Sequence, residues 1–108
     1  MRDYLQELSD VIENRKANPA EGSYTCYLFE KGLDKILKKV AEECGETIIA
    51  AKNGDKVSLC AEVCDLIYHL LVMASECDLP LSDIYKELEA RSKKIGNLKN
   101  MKSVDKLT

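Results

Sequence analysis

Residues 33–76 read LDKILKKVAEECGETIIAAKNGDKVSLCAEVCDLIYHLLVMASE, and this stretch decides the fold. Apolar residues recur at helical spacing on either side of Asn53-Gly54. Before it, Leu33, Ile36, Leu37, Val40, Cys44, Ile48 and Ala51 share one face; after it, Leu59, Val63, Leu66, Ile67, Leu70 and Ala74 do. An Asn-Gly pair suits a left-handed helix end, Lys52 complements the dipole of the last turn, and Asp55 is placed to cap the next helix. Two long helices joined by so short a turn pack as antiparallel neighbours.

Working outward, Leu5, Leu8, Val11 and Ile12 predict a helix over about residues 2–16. The segment Asn18-Pro19-Ala20-Glu21-Gly22-Ser23 breaks it, and a short helix from Ser23 to Glu30 stops at Gly32. Pro80 marks a restart, after which Leu81, Ile84, Tyr85 and Leu88 predict a last helix to about Lys94. Strand-like alternation is scarce, so the expected fold is all-α, a small antiparallel helical bundle of four to five helices. Residues 1–95 form its domain, and residues 96–108, rich in Lys and Asn, read as a frayed C-terminal tail. On the helix after Asp55, Ala61, Tyr68 and Val72 lie away from Leu59, Val63 and Leu70. A helix apolar on two sides is buried on two sides, and a chain of 108 residues has few elements to cover both. Homodimerisation is therefore expected to complete the bundle.

Composition narrows the partners. A formal net charge of -3 and 6% aromatic residues argue against a duplex nucleic-acid surface or a base-stacking sheet. No run approaches 18 uncharged apolar residues, and Met-Arg-Asp-Tyr opens no signal core, so neither a membrane partner nor export is expected. Five cysteines at no disulfide or zinc spacing read as reduced, mostly buried thiols of a cytoplasmic protein.

The carboxylates carry most of the chemistry. Glu42, Glu43 and Glu46 stand in AEECGE, and Glu62 and Asp65 in AEVCDL. At about 100° per residue, Glu43 falls at the edge of its apolar face beside Ile36 and Thr47, and Glu62 does the same beside Leu66 and Met73. Spacing of i,i+3 stacks Glu43 with Glu46 and Glu62 with Asp65, so antiparallel packing brings four carboxylates toward one point. Left alone they repel; a hard divalent cation such as Mg²⁺ resolves the repulsion and carries phosphorylated substrates. A di-iron carboxylate bundle is disfavoured because the only histidine, His69, does not follow a Glu by three. Lys35, Lys38 and Lys39 lie near the same stripe, either as helix salt bridges or as partners for phosphate. Lys52 and Lys56 flank the turn, and His69 follows Asp65 by four residues. Tyr24, Tyr27 and Phe29 serve equally well as packing or as a base pocket. No Gly-rich phosphate loop or nucleophile elbow is present.

Taken together, Glu42-Glu43-x-x-Glu46 and Glu62-x-x-Asp65 match the EExxE and ExxD pattern of the all-α nucleoside triphosphate pyrophosphohydrolases, which include the MazG-like enzymes. The stretches from Glu21 to Asp55 and Ala61 to Ala74, with LSDIYKELEAR, resemble more narrowly the phosphoribosyl-ATP pyrophosphohydrolases of histidine biosynthesis. That resemblance implies Mg²⁺-dependent hydrolysis of phosphoribosyl-ATP to phosphoribosyl-AMP and pyrophosphate in a cytoplasmic homodimer. It implies metal ligands at Glu43, Glu46, Glu62 and Asp65 and an accessory acid at Glu42. It also implies phosphate contacts from Lys35, Lys38 and Lys39 and a substrate-closing segment at Ser23, Tyr24 and Thr25. Lys52 and His69 complete the expected substrate-binding set. Ala41 and Cys64 stand where the family usually has Gly and Ala; both are small and touch no expected ligand. Within 108 residues there is no room for the cyclohydrolase of the next step, which is expected on a separate protein. Two other readings share these features: a house-cleaning pyrophosphohydrolase of another nucleoside triphosphate, and a non-enzymatic dimeric helical adaptor.

Overall fold

The computed structural model describes residues 1–95; the expected tail at 96–108 lies outside the described residues. Five helices make up the described chain: α1 (Tyr4–Ala17), α2 (Tyr24–Lys31), α3 (Leu33–Asn53), α4 (Lys56–Glu76) and α5 (Leu81–Ile95). No strand occurs among the described residues.

Local chemistry explains the boundaries. Asp3, Ser23 and Asp55 are the N-caps of α1, α2 and α4, each accepting from backbone N–H groups of the first turn. Asp55 serves two, from Val57 at 3.0 Å and Ser58 at 3.2 Å. At Gly54 (φ 73°) α3 ends in the left-handed conformation expected of Asn-Gly. A single residue, Gly32 (φ 92°, ψ -175°), separates α2 from α3, and this pair of angles is open to glycine almost alone.

The chain divides into two compact units, Met1–Asp78 and the part from Leu79 on. In the first, Ile12, Leu28, Ile36 and Val72 are essentially fully buried against one another, so each of α1 to α4 contributes one residue to the core. Burial of side chains this size stabilises by roughly 1.5–3 kcal/mol apiece. α3 and α4 form the antiparallel hairpin expected from the Asn-Gly turn. Lys16 closes the far end: its ammonium donates to the Ser75 carbonyl at 2.7 Å and pairs with Asp78 at 3.5 Å. In the second unit, α5 is amphipathic and carries i,i+4 pairs Glu87–Arg91 and Glu89–Lys93.

Three expectations about burial are corrected. On α4 the arc of Tyr68 and Val72, thought to need a second subunit, packs within the chain, whereas Val63 and Leu70 are exposed by more than a third. Likewise on α3 the buried line is Ile36, Glu43 and Ala50, while Leu33, Leu37 and Ile48 of the expected inner face are exposed. α1 and α2 claim the flank of the hairpin that carries Ile36 and Val72, leaving its more apolar flank outside. The cysteines are free, but Cys60, Cys64 and Cys77 are exposed rather than buried. By length and composition α4 could cross a membrane, yet it carries Glu62 and Asp65 mid-helix and a buried His69, as a helix of a folded core does.

Candidate active site

The hairpin brings three of its four expected ligands, Glu43, Glu62 and Asp65, to one place. Ligand oxygens of Glu43, Glu62 and Asp65 all lie within 4.8 Å of one another. Glu43 is deeper than the edge position expected for it, with 6% of its surface exposed. Its depth follows from spacing: Glu43 lies seven residues from both Ile36 and Ala50, on the buried line of α3. Glu62 is half-buried and Asp65 exposed, so the cluster runs from core to solvent.

Thr47 sets the register between the helices. Its hydroxyl donates to the Glu43 carbonyl at 2.7 Å and lies 3.4 Å from the Glu62 carbonyl across the hairpin. Sequence spacing placed Thr47 beside Glu43 but gave no sign of this bridge.

The electrostatics are those of an under-compensated acidic site. Glu43 Oε2 and Glu62 Oε2 are buried without a hydrogen-bond partner. Buried oxygens of this kind are costly and uncommon. Desolvation pushes the Glu62 carboxyl above the usual carboxylate range, helped by hydrogen bonding with Glu46 and by the charges of Glu46, Glu43 and Asp65. Glu46 thus acts on Glu62 while lying outside the trio that converges within 4.8 Å. A divalent cation fits this donor set: it is all carboxylate, converges on one point, and holds oxygens with lone pairs to spare.

Lys39 is the cation of the site. Its ammonium lies 3.1 Å from Glu42 and 3.7 Å from Glu43, and its bond to Glu42 holds its pKa above the ordinary lysine value. Glu42, outside the cluster, is held below the usual range first by that bond and then by the charges of Lys39, Lys38 and Lys35. Lys35 and Lys38 therefore act on the acidic stripe at a distance, and exposed Lys52 lies at the turn end of α3.

The expected substrate segment meets α4 through two side-chain bonds. His69, 5% exposed, places Nδ1 2.7 Å from the Asp65 carbonyl and Nε2 3.0 Å from the Tyr24 hydroxyl. A carbonyl only accepts, so Nδ1 carries a proton, and in the neutral ring Nε2 accepts from Tyr24. Thr25 and Tyr68 share the second bond, hydroxyl to hydroxyl. Ser23 is occupied as the cap of α2. Burial raises the Tyr24 phenol above its ordinary value; Lys39 opposes this, and Tyr68, Glu43 and Tyr27 add to it. Tyr68 was absent from the expected site; its place beside the only histidine, on the arc read as a subunit contact, was the available signal.

The family model described as phosphoribosyl-ATP pyrophosphohydrolase matches residues 5–92. A phosphoribosyl-ATP pyrophosphatase of Clostridium botulinum strain Hall is 57% identical over 104 residues, covering 95% of this chain and 94% of its own. Another, from Clostridium novyi, is 58% identical over 97 residues, 90% of this chain and 88% of its own. A histidine biosynthesis bifunctional protein of Caldanaerobacter subterraneus subsp. tengcongensis is 59% identical over 90 residues, which are 83% of this chain and 44% of that protein.

Proposed function

This chain belongs to the phosphoribosyl-ATP pyrophosphohydrolase family, and from that premise we propose that it hydrolyses phosphoribosyl-ATP to phosphoribosyl-AMP and pyrophosphate in histidine biosynthesis. The observation that carries the chemistry is the convergence of Glu43, Glu62 and Asp65, with two buried oxygens awaiting a partner. We assign Glu43, Glu46, Glu62 and Asp65 to Mg²⁺, which when bound neutralises phosphate charge and lowers the pKa of a water. Each residue then has a task. Thr47 fixes the spacing of the two ligand-bearing backbones. Glu46 holds Glu62. Lys39, already between Glu42 and Glu43, offers its ammonium to a phosphate oxygen and stabilises charge leaving with pyrophosphate. Water attacks the phosphorus next to the sugar in line with the departing pyrophosphate, and a carboxylate of the acidic stripe takes its proton.

Assembly and location follow the same reading. Leu33, Leu37 and Ile48 of α3, with Val63 and Leu70 of α4, lie on the flank of the hairpin away from α1 and α2, and their exposure supports a homodimer. We place the enzyme in the cytoplasm, acting on a small nucleotide.

Purified protein with Mg²⁺ should turn over phosphoribosyl-ATP and leave dUTP intact; the opposite preference would indicate a house-cleaning enzyme. Glu62→Gln should lower kcat by about 10²-fold or more while keeping helical content. A variant with near-normal turnover at limiting Mg²⁺ would remove Glu62 from the ligand set. Light scattering should give twice the chain mass, and Leu70→Arg should halve it.

A further inference from the structure

α2 carries a row of groups that the chemistry at the metal does not use. Tyr24 and Tyr27 stack with ring centroids 6.1 Å apart and planes 21° from parallel, and Tyr24 and Tyr68 stack at 6.2 Å and 28°. Tyr24 and Tyr27 are 46% and 40% exposed, so both offer aromatic surface to solvent. The row is anchored: His69 holds the Tyr24 hydroxyl and Thr25 holds that of Tyr68. One turn beyond Tyr27, the exposed Lys31 sets its ammonium 5.8 Å from the Tyr27 ring centroid. At the other end, His69 ties the Tyr24 hydroxyl to the backbone carbonyl of Asp65, with bonds of 3.0 and 2.7 Å, and the charges of Lys39 and Glu43 act on Tyr24 from the acidic site.

The order along α2 is therefore acidic cluster, Tyr24, Tyr27, Lys31. Seven residues of helix separate Tyr24 from Lys31, about 10 Å. Resting on the activity proposed above, we infer that this face of α2 measures the substrate beyond its triphosphate: Tyr24 and Tyr27 support the purine, and Lys31 receives the phosphate of the added phosphoribosyl group. The chemistry at each step agrees. Purines stack on aromatic faces whatever their edge substituents, and an ammonium suits a terminal phosphate dianion. Centroid spacings near 6 Å leave no room for a base between the rings, so the purine lies on their exposed side. ATP meets the tyrosines but brings no phosphate to Lys31; phosphoribosyl-ATP does. Lys31 is thereby the residue that tells the two nucleotides apart.

Competition separates the three contacts. Mg²⁺ complexes of tripolyphosphate, α,β-methylene-ATP and the α,β-methylene analogue of phosphoribosyl-ATP are compared on wild type, Tyr27→Leu, Tyr27→Phe and Lys31→Met. Tyr27→Leu should weaken both nucleotides about tenfold and leave tripolyphosphate unchanged, while Tyr27→Phe restores both. Lys31→Met should weaken the phosphoribosyl-ATP analogue about tenfold with α,β-methylene-ATP unchanged. Equal affinity of Tyr27→Leu and wild type for both nucleotides would overturn the platform, and equal losses for the two analogues in Lys31→Met would overturn the ruler. Calorimetric Kd values read both without turnover. A wild type that binds as described but hydrolyses nothing counts against the activity alone, and circular dichroism melts identify any variant whose loss is one of folding.

Discussion

Magnesium should raise the melting temperature of this fold by an amount per decade of concentration that the chain length sets. The cluster of Glu43, Glu62 and Asp65 exists only in the folded chain, because the three residues come from two helices. A ligand that binds only the folded state adds about 1.4 kcal/mol for each tenfold rise in concentration above its Kd, per ion bound. Unfolding entropy is about 2.1 cal/mol/K per residue, hence about 0.23 kcal/mol/K for 108 residues. The melting temperature should therefore climb about 6 °C per decade of Mg²⁺ for one ion and twice that for two. Differential scanning calorimetry from 0.1 to 100 mM MgCl₂, at constant ionic strength, measures the slope and with it the number of ions. Glu43→Gln keeps the shape of the buried side chain but removes its charge, and should flatten the curve until far higher Mg²⁺. A wild-type slope near zero, or a Glu43→Gln curve superimposable on it, would refute the metal assignment.

Three further outcomes follow from the same geometry. Because the folded chain raises the Glu62 pKa, it holds that proton more tightly than the unfolded chain does. Metal-free protein should then lose stability relative to Glu62→Gln as pH rises from the ordinary carboxylate value through that of Glu62, and saturating Mg²⁺ should reverse the ordering at pH 7; paired thermal melts across pH 4–8 test this. Lys39→Met removes the cation that competes with metal at Glu43 and should shift the Mg²⁺ stabilisation to lower concentration, while kcat/KM falls about tenfold from the lost phosphate contact. Ile36→Ala opens a cavity at a fully buried position and should cost about 2–5 kcal/mol by urea denaturation.

Most of the helical frame was legible in the chain. Ser23 and Asp55 have side chains that cap, Gly32 and Gly54 accept angles others resist, and periodicity filled the spans between them. The acidic cluster was legible for the same local reason, since i,i+3 spacing on a hairpin is geometry written in residue numbers. What periodicity does not carry is sidedness. α4 is apolar on two flanks, and nothing in its own sequence says which one α1 and α2 will claim. Glu43 was therefore placed at an edge when it lies on the buried line, and Tyr68 and Val72 were assigned to a neighbouring chain when they face their own. The links from Thr47 to Glu62, Lys16 to Ser75 and Tyr24 to His69 span 15, 59 and 45 residues. Contacts that distant depend on the packed assembly and leave no mark on local spacing.

The seven-residue line of Ile36, Glu43 and Ala50 has a consequence for how such a chain can vary. Inserting or deleting one residue between Ile36 and Glu43 would swing the carboxylate about 100° around α3 and leave the hydrophobic anchor where it was. Length changes there would turn Thr47 and Ala50 along with the acid, so the interval between anchor and acid ties the chemistry to the packing of the hairpin.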